Sequence, residues 1–123
     1  MTFRRIIQWN EERELLKKEY NAGQEYAMLE EELEEFLNAT NAETDEEVLH
    51  ELLDALADII IVAAGSITKL GFNPTRVMNQ ALLEIESRVG QVDPETGKFE
   101  KSKTKEARAN WYTADYTQCQ FSK

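Results

Sequence analysis

Residues 44–71 read TDEEVLHELLDALADIIIVAAGSITKLG. Thr44, followed three residues later by Glu47, has the form of a capping box, in which the hydroxyl accepts an early amide N–H and the carboxylate folds back on the cap. A helix is expected from Asp45 to about Leu70, and Gly71 is placed to end it in the left-handed conformation that a residue without a Cβ adopts freely. At about 100° per residue, Leu52, Leu53, Leu56, Ala57, Ile59 and Ile60 cover most of its circumference, which marks a buried helix. Yet Glu47, Glu51, Asp54 and Asp58 fall within about 60° of one another, in a stripe that Val62 and Gly65 continue. Four like charges on such a helix repel, and desolvating each costs several kcal/mol unless something positive lies among them. This helix carries no base before Lys69.

The flanking segments predict further helices, since five Gly and two Pro leave little to interrupt them. The first is expected from about Thr2 to Tyr20, with Phe3, Ile6, Ile7, Leu15 and Leu16 as apolar contacts. Asn21 to Gln24 is a break and restart. The second helix then runs to about Asn38, with Tyr26, Leu29, Leu33, Phe36 and Leu37 at helical spacing. Its Glu30, Glu31 and Glu34 point away from that face, as a solvated acid run usually does. Glu32 and Glu35 lie on the flank, in line with Glu25, Met28 and Ala39, where they can face the acidic stripe of the third helix across an antiparallel pair. Oxygen ligands from two helices, with no His or Cys among them, suit a hard cation such as Mg2+ or Mn2+.

Asn38 to Glu43 reads as a loop. Asn73-Pro74 places Asn at the N-cap and Pro at the first position of a fourth helix, expected to about Val89. Beyond Gly90, Asp93 to Gly97 is turn chemistry between short stretches that can pair as a hairpin. Residues 98–123 carry six bases and three acids, net +3, whereas residues 1–97 carry eight bases and 21 acids, net -13. The expected organisation is one domain, 1–123, with a helical body over 1–90 and a basic, turn-rich tail over 91–123.

The 123 residues carry a formal charge of -10, a field that repels polyanions and argues against a nucleic acid polymer or an anionic membrane as partner. The longest apolar run, Ala55 to Ser66, is broken by Asp58 and too short to span a bilayer, and the start does not resemble a signal peptide. The single cysteine, Cys119, excludes an internal disulfide and fits a reducing, cytoplasmic setting. Cys119 reads as inert, His50 as a surface residue, and Trp9 and Trp111 as packing groups.

Glu31-Glu32-Leu33-Glu34-Glu35-Phe36 resembles the EExxE segment of the MazG-like, all-α nucleotide pyrophosphohydrolases. Glu51 to Ile60 resembles the ExxD helix that follows it, and Gly71-Phe72-Asn73-Pro74, Val77-Met78, Gly97-Lys98 and Tyr112 to Asp115 resemble the ending of the phosphoribosyl-ATP-pyrophosphohydrolase-like members of phages and bacteria. The resemblance spans roughly Glu25 to Tyr116. It implies an all-α antiparallel bundle of four to five helices with a short hairpin or irregular basic tail. It further implies Mg2+-dependent cleavage of a nucleoside triphosphate between the α and β phosphates.

By the same resemblance Glu32 and Glu35 match the ExxE pair, as metal ligands and catalytic carboxylates, with Glu35 the one that activates water. The second pair is ambiguous, because Asp58 precedes the apolar run but Ala55 stands three residues before it, where the family has Glu. Glu51 and Asp54 have the right spacing one turn earlier, so Glu51, Asp54 and Asp58 are all expected ligands. Lys98, Lys101 and Lys103, and after them Arg88, are expected at the outer phosphates, although plain solubility is the commoner reading of such bases. A homodimer or homotetramer is expected from helices with two apolar faces. Two alternatives stand beside this: hydrolysis of phosphoribosyl-ATP, and a non-enzymatic helical interaction protein whose acid stripe is bridged by bases.

Overall fold

The structure, a computed structural model, describes residues 2–121; Met1 and the Ser122-Lys123 end of the basic tail lie outside the described residues. The chain forms two compact units, Met1–Pro74 and Thr75–Lys123. The first holds helices α1 (Thr2–Glu12), α2 (Ala22–Asn38) and α3 (Asp45–Lys69). The second holds α4, which begins at the junction (Pro74–Glu86), a two-stranded antiparallel sheet of β1 (Gly90–Val92) and β2 (Phe99–Lys101), and the short helix α5 (Lys105–Ala109). The fold is all-α with a short C-terminal hairpin. Among the described residues no helix is long and apolar enough to cross a membrane.

The ends of α3 follow from local chemistry. Thr44 is extended and its hydroxyl accepts from the Glu47 amide at 3.2 Å. At the other end Gly71 takes φ +91°, and the Phe72 amide returns to the Ile67 carbonyl at 3.3 Å. Asn21 caps α2 by accepting from the Gln24 amide at 3.1 Å.

The first helix is shorter than its pattern predicts. It stops at Glu12, Glu14 takes the left-handed φ of 57°, and Leu15–Lys17 form a separate 3-10 turn. At about 1.5 Å per residue a helix continued to Tyr20 would run some 12 Å past this point. The turn instead brings the Tyr20 hydroxyl within 2.7 Å of Ser66 Oγ on α3. Here α3 is lined with small residues, Ala64, Gly65 and Ser66, all buried, and α1 comes close. Asn10, only 3% exposed, packs where a Cβ on Gly65 would lie 3.4 Å from its Nδ2.

α2 and α3 run antiparallel and are clamped by Lys69, whose Nζ lies 3.1 Å from both carboxylate oxygens of Glu25. The apolar faces predicted to be buried are largely open in the single chain. On α2 Leu33, Phe36 and Leu37 are exposed, and on α3 so are Leu53, Leu56 and Ile60. A unit with only α1 packed beside two long helices has no layer to cover their remaining faces.

In the second unit α4 ends at Glu86, three residues before Val89. Ser87 Oγ donates to the Glu84 carbonyl and accepts from the Tyr112 amide. The Val89 carbonyl instead receives the Ser102 amide at 2.7 Å, starting the hairpin. Gly90 sits opposite Lys101, where a Cβ would run into the Glu100 carbonyl, so the approach of the two strands needs glycine. The 93–97 turn closes through the Gly97 amide on the Asp93 carbonyl at 2.8 Å. The segment after α5 is pinned to α4 by the Ala114 amide on Glu84 Oε1 and the Asp115 amide on Gln80 Oε1, both at 3.0 Å.

Candidate metal centre

Glu32 and Glu35 stand three residues apart on α2 and therefore share one face. Asp58 comes from α3 across the antiparallel pair. One carboxylate oxygen from each of the three lies within 4.8 Å of the other two. Glu32 and Asp58 are half-buried and Glu35 is exposed, so the cluster opens toward solvent on one side. No lysine or arginine of this unit pairs with any of the three among the described residues. Glu25, two turns earlier on α2, is the contrasting case, because Lys69 neutralises it.

The electrostatics follow from that crowding. Glu32 Oε2 is buried with no hydrogen-bond partner. Its carboxyl is pushed up from 4.5 to about 7, first by desolvation, then by proton sharing with Glu35 and the negative charges of Glu35, Asp58 and Glu31. In the chain alone a proton is what relieves the repulsion. A divalent cation would relieve it better, since it offers two charges to three oxygens and gives the orphaned Oε2 a partner. The residues present fit such an ion: their donors are all carboxylate oxygens, the set a hard cation prefers.

Of the five carboxylates expected as ligands, the fold brings Glu32, Glu35 and Asp58 together. Asp54 and Glu51 are exposed on α3, one and two turns from Asp58 toward the N-terminus, outside the three-oxygen set. Ala55, three residues before Asp58, is 2% exposed and packed, so no fourth carboxylate comes from that position. Arg88, Lys98, Lys101 and Lys103 belong to the second unit. There Lys98, Lys101 and Lys103 are exposed, while Arg88 pairs with Glu84 at 3.7 Å.

A feature the sequence did not reveal lies beside the cluster. A groove of about 660 Å³ lies between α1 and the α2–α3 pair, with Trp9, Asn10, Met28, Ile61, Gly65 and Lys69 in its walls. Met28 is one turn from Glu32 on α2, and Ile61 is one turn from Asp58 on α3, so the groove starts where the carboxylates end. Its only sequence signal is Gly65 in line with Asp58, a place where α3 allows close approach.

The family model described as Phosphoribosyl-ATP pyrophosphohydrolase matches residues 3–82, which takes in α1 from Phe3 onward, α2, α3 and the three clustered carboxylates. No curated protein and no solved structure matches. With the match covering most of the chain and the acidic cluster inside it, the chain belongs to the phosphoribosyl-ATP pyrophosphohydrolase family.

Proposed function

We propose that the chain hydrolyses a nucleoside triphosphate between the α and β phosphates, releasing a nucleoside monophosphate and pyrophosphate, with Mg2+ as the metal and Mn2+ as its substitute. The observation that carries this reading is the meeting of Glu32, Glu35 and Asp58 within 4.8 Å with no base of their own unit among them. The bound ion would supply charge neutralisation at the phosphate oxygens. Glu32 and Asp58, half-buried and facing each other from two helices, fix the ligand geometry. Glu35, the exposed member, is placed to orient the attacking water and take its proton. Glu51 and Asp54 are assigned a supporting role in drawing the cation to this side of α3.

The groove beside the cluster is assigned to the nucleoside, because it is apolar enough to hold a base and sugar and offers Asn10 and Lys69 as polar contacts. Phosphoribosyl-ATP is the second substrate reading, favoured by the matched family's name. A purely structural role for the acid stripe is disfavoured by the lack of bridging bases on α1, α2 and α3. The buried thiol of Cys119 fits a cytoplasmic setting. The open apolar faces of α2 and α3 are assigned to a homodimer or homotetramer contact, which light scattering tests: Leu53→Glu should yield monomer if that face pairs.

The activity test is incubation with each ribo- and deoxyribonucleoside triphosphate, and with phosphoribosyl-ATP, in Mg2+, following pyrophosphate and monophosphate together. Release of both, lost in a folded Asp58→Asn, supports the reading. Orthophosphate alone, or full activity in Asp58→Asn, overturns it.

A further inference from the structure

The second unit contains a cationic cluster whose donors outnumber its acceptors. Three cations converge on the ring of Trp111: the Arg88 guanidinium at 4.7 Å, Lys101 Nζ at 5.2 Å and the Arg108 guanidinium at 5.9 Å from its centroid. They come from three different segments: the stretch just past α4, strand β2 and the last turn of α5. Only Arg88 has a carboxylate partner among the described residues, Glu84 at 3.7 Å, and that contact uses Nη2. Its Nε is buried without a partner, and so is Nε1 of Trp111. Two buried N–H donors side by side with no acceptor leave desolvation uncompensated, and like charges gathered on one indole repel. Arg88 and Lys101, two of the three cations, also edge a concavity of about 750 Å³, walled by Ile85 and Phe99 and completed by Lys103, with Glu100 the one acid on its rim.

We propose that this cluster is an oxyanion site for two linked phosphoryl groups, of the pyrophosphate or nucleotide-polyphosphate class, and that it binds them without a metal. Orphaned donors and unpaired cations together call for one acceptor-rich, multiply charged ligand. A single monoanion is too small and too weakly charged to serve three cations spread around a ring. Guanidinium groups suit phosphate because their planar N–H pairs match two oxygens at once. The indole holds the cations by its face and keeps them from collapsing on one another. The assignment goes beyond the hydrolase reading and rests on it only for which phosphate is met in the cell. Unlike the carboxylate cluster, this site attracts the anion directly.

Trp111 itself reports on binding once Trp9, the other tryptophan, is replaced. In full-length Trp9→Phe with EDTA, added pyrophosphate should change the tryptophan fluorescence saturably. Arg108→Gln and Lys101→Gln, both at exposed positions, should each weaken that binding by about tenfold, the effect of losing one charge-assisted contact. Raising the salt should weaken it further. A nucleoside triphosphate in EDTA should compete with pyrophosphate, whereas a nucleoside, lacking phosphate, should not. No saturable change up to about 10 mM pyrophosphate, an affinity too weak to matter, or unchanged affinity in both folded variants, would overturn the site. Because EDTA removes the metal, neither result depends on whether Glu32, Glu35 and Asp58 catalyse hydrolysis.

Discussion

Lys69→Met tests whether the α2–α3 pair is held as described. Lys69 and Glu25 contact each other at 3.1 Å through both carboxylate oxygens, and their side chains are 16% and 8% exposed. Removing one partner of a buried pair leaves the other desolvated, at about 3–5 kcal/mol. The lysine end still reaches some solvent, which places the expected loss near the lower bound, about 3 kcal/mol. With an unfolding entropy of about 2.1 cal/mol/K per residue, this corresponds to a drop in Tm of about 12 °C for a chain of this length. Glu25→Leu combined with Lys69→Met removes both charges and should recover most of the loss, because the penalty belongs to the stranded carboxylate rather than to the missing attraction. Urea melts of the wild type, the two single variants and the double variant close the cycle. A Lys69→Met loss below about 0.5 kcal/mol, the range of ordinary surface changes, would refute this reasoning. So would a double variant no more stable than Lys69→Met.

Other consequences are directly measurable. The metal-free chain keeps a proton on Glu32 up to about pH 7, while the unfolded carboxyl releases it near 4.5. Between those values the folded state binds more protons, so stability contributed by this group falls as pH rises through the window and levels off above it. Urea melts at several pH values should show that slope in the wild type and its loss in Glu32→Gln; equal slopes would contradict the shift. Asp58→Asn and Glu35→Gln each remove a charge from a crowded cluster, so each should raise the metal-free melting temperature while destroying catalysis; a fall in both would mean the charges are compensated. Gly90→Ala drives a Cβ into the Glu100 carbonyl, and should cost about 1–3 kcal/mol by overpacking and change the Trp111 near-ultraviolet signal as Lys101 moves.

How much of this the sequence showed depends on how local each determinant is. Thr44 and Gly71 delimit α3 because a hydroxyl and a missing Cβ act within one turn. The end of α1 was not legible. Glu14 carries no turn signal of its own, and the Tyr20–Ser66 contact that goes with the turn is distant in the chain. The acid stripe on α3 was legible as a direction, but Glu51, Asp54 and Asp58 share that direction. Which turn meets Glu32 and Glu35 depends on the offset between α2 and α3, set by the 39–44 connection and the Glu25–Lys69 clamp. Lys69 stood out as the first base on its helix, yet nothing nearby in the chain announced Glu25 as its partner. Periodicity likewise identified the apolar faces of α2 and α3 but carries no information about what covers them. The grouping of Arg88, Arg108 and Trp111 has no local signal in the sequence, because separate segments of the chain bring them together.

The central claim is that a divalent ion binds the three carboxylates, and the most direct measurement is the melting temperature with and without Mg2+ near pH 7.5. At a concentration about 100 times its dissociation constant, Mg2+ should stabilise the folded chain by about 2.7 kcal/mol. Asp58→Asn should lose that gain while starting from a higher metal-free melting temperature. A wild-type melting point that stays level or falls as Mg2+ is added, or a response that Asp58→Asn retains in full, would contradict it.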